Sequence, residues 1–90
     1  MTMQNASQGR VVLAVGAAAL GNGTDVAPAL ITRVWSDNDQ TMTSMVNATV
    51  FPDNSTLIRT VSSATLFADE ASARAELSEG ATHLFWPARV

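Results

Sequence analysis

Residues 50–56 read VFPDNST, and the reading of this stretch decides the fold. Upstream, across residues 41–51, Val46, Ala48 and Val50 fall on one face of an extended chain and Asn47 and Thr49 on the other. That period of two is the signature of a strand with one buried side. Downstream, residues 56–67 resume the β pattern, with Ser62 and Ser63 marking a bend or bulge. Between the two segments, Pro52 presets φ, while Asp53 and Asn54 can bond to their own backbone. A tight turn between antiparallel strands therefore accounts for VFPDNST better than a glycan acceptor at Asn54 or an acidic ligand loop.

Working outward, ALITRVWS (29–36) is rich in β-branched and aromatic residues and reads as the preceding strand, joined by a polar turn SDNDQ (36–40). GNGTDVAP (21–28) concentrates glycine, Asp and Pro and reads as a loop. A first strand is expected over residues 10–17. Beyond the β region, DEASARAELSE (69–79) reads as a helix, with Asp69 as N-cap, Glu70 and Arg74 one turn apart, and Gly80 as the stop. The aromatic ATHLFWPARV forms the closing strand, ended by Pro87. The order β-β-β-β-α-β defines a mainly β chain, a small five-stranded antiparallel SH3-like barrel with one short helix before the last strand. Residues 1–9 form an N-terminal arm and residues 10–90 the barrel domain.

The chain has 90 residues, 47% of them apolar, and no cysteine, so it forms one domain with neither a disulfide framework nor a thiolate zinc site. So small a core without staples draws part of its stability from a partner or from oligomerisation. The net charge is −3, and every basic residue is an arginine: Arg10, Arg33, Arg59, Arg74 and Arg89. Their dispersal argues against nucleic acid, whose phosphates reward clustered positive charge. The apolar run VVLAVGAAAL (11–20) is about half of the roughly 20 residues a bilayer-crossing helix needs, and reads as a core strand and small-residue turn rather than a secretory signal. The polar arm MTMQNASQG is expected to lie against something, such as a neighbouring subunit.

Little in the chain carries reaction chemistry. His83, the lone histidine, lacks a motif that would supply a nucleophile or further metal ligands, and is expected on a strand, packed or half-exposed. Asp37, Asp39 and Asp53 cap turns; Asp37 and Asp39 lack the rest of a calcium loop. The sequons at Asn5, Asn22, Asn47 and Asn54 reflect a composition rich in Asn, Ser and Thr. GNG is not followed by the Lys and helix of a phosphate loop. Of the large residues Trp35, Phe51, Phe67, Phe85 and Trp86, most are expected in the core. Phe85 and Trp86 are neighbours and must face opposite ways, so when one fills the barrel the other meets solvent, a flanking element or a partner.

The stretches ALITRVWS, VNATVFPDNST and LFWPARV resemble a family of small proteins of tailed bacteriophages, with the pattern A-x-I-T-x-V-W at 29–35, V-N-x-x-V-F-P-D-x at 46–54 and W-P-x-R-V at 86–90. The chain departs from that pattern in NDQTMTSM (38–45) and in the helix DEASARAEL. The resemblance implies an SH3-like barrel and a virion structural role, a capsid (head) decoration protein on the outer surface of the major capsid lattice. It implies no enzyme activity, no cofactor, no metal, no nucleic acid and no membrane. The implied partners are the major capsid protein and further copies of the chain, as a homo-oligomer of which a trimer is one form. The implied location is the virion surface, after the host cytoplasm. The candidate contact residues are Met1, Met3 and Gln4 in the arm and Trp86, Arg89 and Val90 at the closing strand. The alternative is a non-virion phage or bacterial barrel module that binds a protein or nucleic-acid partner.

Overall fold

A computed structural model describes residues 5–53 and 57–88. The molecule is mainly β. Strands β1 (Val11–Gly16), β2 (Val26–Asn38), β3 (Thr43–Val50), β4 (Arg59–Phe67) and β5 (Thr82–Phe85) close into a barrel in the order β1-β2-β3-β4-β5. A short helix, α1 (Glu70–Ala75), precedes the last strand, giving an SH3-like arrangement. β1 pairs with β2 and with β5, so the first and last strands close the wall.

One feature corrects the expected antiparallel sheet: β4 and β5 run parallel, paired only through Leu66 with Leu84 and Phe67 with Phe85. The physical reason is the helix. A tight turn reverses a strand, whereas a helical crossover can return the chain in the same direction. α1 is also shorter than the sequence suggests. Asp69 caps it by accepting the Ser72 N–H at 2.8 Å, but the helix ends after Ala75. The chain then turns to place Leu77 on Val15, Phe67, Ala73 and Phe85.

The β2 strand is longer than expected at both ends, running from the predicted loop into the predicted 36–40 turn. Pro28 fits inside it because of where its missing donor would point. In a strand, one residue's N–H and C=O leave on the same side. The Pro28 carbonyl accepts the Phe51 N–H at 3.0 Å, so the one bond proline forfeits is the reciprocal one to Phe51, which lies just past the end of β3. At the far end Ser36, Asp37 and Asn38 pair with Met45, Ser44 and Thr43. The Asn38 side chain then organises the reversal, accepting N–H groups from Gln40 and Thr41 at 3.0 and 3.3 Å.

The barrel interior holds Val12, Ala14, Ala27, Ala29, Ile31, Val46, Ala48, Val50, Leu66, Leu84 and Trp86. Many alanines beside a few larger residues suit a narrow, curved barrel. A second cluster lies on the outer face, where Val15, Phe67 and Phe85 pack beneath Ala73 of α1. Gly16 joins the two layers. Its φ of 115° favours glycine, and a Cβ there would stand 2.2 Å from the Ala81 carbonyl oxygen.

The expected turn at VFPDNST begins as read, with Val50 ending β3, Pro52 buried and Asp53 in a turn. Asn54, Ser55 and Thr56 lie outside the described residues. Beside this turn lies the tip of the β1–β2 connection (residues 17–25), where a single 3-10 turn at Ala17–Ala19 leads into a two-residue reversal at Asn22 and Gly23, both with positive φ. Gly21 and Thr24 exchange both backbone hydrogen bonds at 3.0 Å, and Asn22 Nδ2 donates to Asp53 at 3.1 Å. Asn-Gly is the favoured pair for such a turn.

Candidate functional site

Two surfaces stand out on the barrel exterior. The first follows from pairing. Val11 lies opposite Leu30 and Leu13 opposite Pro28, on the face away from the buried Val12, Ala14, Ala27 and Ala29. Cross-strand partners share a face, so these four form one apolar block. Phe51, bonded to Pro28 through its N–H, extends it. α1 covers the neighbouring part of this outer face, over Val15 and Phe85, and leaves the remainder open. Val11 is 59% exposed and Phe51 41%.

The second surface is built by three irregularities that meet at Asn47. Between β2 and β3 the register slips twice, leaving Thr32 and Trp35 as extra residues on β2. Between β3 and β4 it slips once, so Asn47 faces both Ser62 and Ser63, the bulge expected there, and Ser63 has φ 52°. A bulge leaves a backbone N–H without a ladder partner. The Asn47 side-chain oxygen accepts the Ser63 N–H at 2.8 Å and the Trp35 indole N–H at 2.9 Å. One amide oxygen thus ties β4 to an indole on β2. The Trp35 ring is 48% exposed, and the Arg33 guanidinium lies 3.9 Å from its centroid.

Among the candidate contact residues, Met1, Met3, Gln4, Arg89 and Val90 lie outside the described residues. Trp86 sits in the barrel interior, with Arg10 placed 5.1 Å over its ring. Its neighbour Phe85 faces the other way, as adjacent strand residues must, and meets the flanking helix. The described part of the arm lies on its own barrel. Gly9 N–H donates to the Ile31 carbonyl and Ile31 N–H to the Arg10 carbonyl at 2.8 and 2.9 Å, and Ala6 packs against the core. Asp37, read as a turn cap, instead lies in β2 and accepts from the Ser44 hydroxyl and the Ala6 N–H.

His83 occupies β5, half-buried, with Nδ1 donating to the Ala73 carbonyl at 2.9 Å and its ring 4.9 Å from that of Phe67. It fastens α1 to the barrel. α1 is also held through Arg74, which bridges Asp25 at 2.9 Å and Glu70 at 2.8 Å. The hydrogen bond from Arg74 draws the Asp25 carboxyl below its ordinary pKa, and the Ser72 N–H does the same for Asp69. Among the described residues, no group of three or more His, Asp or Glu is placed to hold a metal ion. No described helix is long and apolar enough to cross a membrane.

Trp35 is one of five large residues of which most are expected in the core, and it lies outside. A signal of its outward position was present: alternation from buried Ile31 would bring Arg33 inward as well, an unpaired charge in the barrel. A one-residue bulge between them resolves the conflict. Comparison of the chain with protein-family models, curated proteins and solved structures finds no match.

Proposed function

We propose that this chain is a non-catalytic structural protein of a bacteriophage virion, a decoration subunit that binds the outer surface of the major capsid lattice. The observation that carries the reading is the open part of the outer barrel face beside α1, where Val11, Pro28 and Phe51 stay exposed. Exposed apolar blocks of this kind mark protein contacts. The resemblance of the segments at 29–35, 46–54 and 86–90 to small phage barrel proteins supplies the partner. A decoration subunit works by burying area over a repeating lattice, and a small closed barrel offers a rigid surface for that task. Copies gathered around a lattice symmetry axis would form the homo-oligomer, a trimer at a threefold.

The test is cosedimentation with particles that lack the chain. Saturable binding is expected, and joint Val11→Asp and Phe51→Asp substitution should weaken it at least about tenfold while the β circular-dichroism signal is retained. Absence of the chain from purified virions by mass spectrometry would overturn the reading.

A further inference from the structure

We propose that Trp35 and Arg33 form a binding site for an acidic segment of a partner protein, with Asn47 as the residue that positions the indole. This site is separate from the open face around Val11 and Phe51 and does not depend on a virion role.

An exposed tryptophan contributes little to a barrel, yet this one is fixed at its edge and on one face. Its N–H is held by Asn47, whose oxygen is itself fixed by the Ser63 backbone, and the Arg33 guanidinium stacks on the ring. Three register slips across β2, β3 and β4 converge to build this arrangement. Bulges commonly re-aim side chains at functional positions. Ordering these groups in advance removes part of the entropy that association otherwise costs.

The chemistry of the occupant follows from Arg33. Among the described residues, ion pairs involve Arg74 alone, so Arg33 carries an uncompensated charge at the surface. Asp37, the nearest acid along the strand, is engaged by Ser44 and Ala6. A guanidinium placed over an indole face makes no hydrogen bond to the ring, and its fork of N–H donors matches a carboxylate in two-point contact. The indole beside it offers apolar area for the residue next to that carboxylate. Tryptophan and arginine together are the residue types most often found at the energetic centre of protein interfaces. Phosphodiester chains fit less well, because they gain affinity from several cations in a row. Here Arg33 stands as one cation on a chain of net charge −3.

The test uses the full chain, nitrogen-labelled, and a short capped peptide that alternates Glu and Leu around a central Phe. The peptide should shift the Trp35 indole N–H resonance while leaving that of Trp86 in place, and added salt should weaken the effect. Arg33→Gln should reduce affinity at least about tenfold. Arg33→Lys should recover only part of it, since an ammonium lacks the planar fork. The proposal is overturned by unchanged affinity in Arg33→Gln, by equal binding of the same peptide with Lys in place of Glu, or by no Trp35 shift. It is equally overturned when a single-stranded thymidine oligonucleotide binds Trp35 more tightly than the peptide.

Discussion

The molecule contains two tryptophan–arginine pairs with opposite fates. Trp86 is 8% exposed and fills the barrel, with Arg10 over its ring; Trp35 is 48% exposed and stands on the exterior under Arg33. The local chemistry is the same, so the difference lies in what surrounds each ring. Trp86 is held by packing among Val, Ala and Leu side chains. Trp35 is held by a hydrogen bond at its edge and a cation on its face. One tryptophan serves the fold, and the other is free to serve a partner.

Substitution should separate the pairs most sharply in stability. Trp86→Ala should cost about 3–5 kcal/mol in urea unfolding, through lost burial and the cavity left behind. Should it cost no more than Trp35→Ala, the contrast between the two pairs would collapse. Asn47→Ala comes next, because it strands the Ser63 N–H and releases the indole. A loss of about 0.5–1.5 kcal/mol is expected, together with faster Trp35 motion in time-resolved anisotropy. Trp35→Ala should change stability by no more than about 0.5 kcal/mol, as for surface sites generally. Acrylamide should quench Trp35 emission and spare Trp86.

The smallest expected effect lies away from both rings, at the helix. Asp25 and Asp69 both have pKa values lowered from 3.8, Asp25 mainly by the Arg74 hydrogen bond and Asp69 by the Ser72 N–H. The folded state therefore holds these protons more weakly than the unfolded chain. Their contribution to stability is present above the unfolded value and fades as pH falls through the folded one. Acid titration below about pH 4 should loosen α1 with little change at either tryptophan. Asp25→Asn with Asp69→Asn should flatten that part of the pH profile; an unaltered profile would place the acid sensitivity elsewhere.

Much of the barrel was legible in the sequence because its strands alternate. Val46, Ala48 and Val50 announce their inward face, and Ser62 and Ser63 announce a bulge. The length of β2 was not legible, since Pro28 and the polar residues at 36–38 read as loop. Only the position of β3 explains why a proline is tolerated there. The parallel pairing of β4 with β5 depends on how α1 crosses the sheet, which no local pattern encodes. The position of Trp35 misled for a specific reason: the slip at Thr32 reverses inside and outside for Arg33 and Val34, until a second slip falls at Trp35 itself. Arg33 was the clue, because a strict alternation would have buried it.

The pairing of the first strand with the last has a consequence for synthesis. Val11–Gly16 leaves the ribosome before Thr82–Phe85, and one of its edges finds its partner only when that strand follows. Until then VVLAVG is an apolar edge open to other nascent chains. Contacts this distant in sequence also slow folding, because loop closure must precede the gain. Truncation before Thr82 should therefore yield an aggregating chain rather than a smaller barrel.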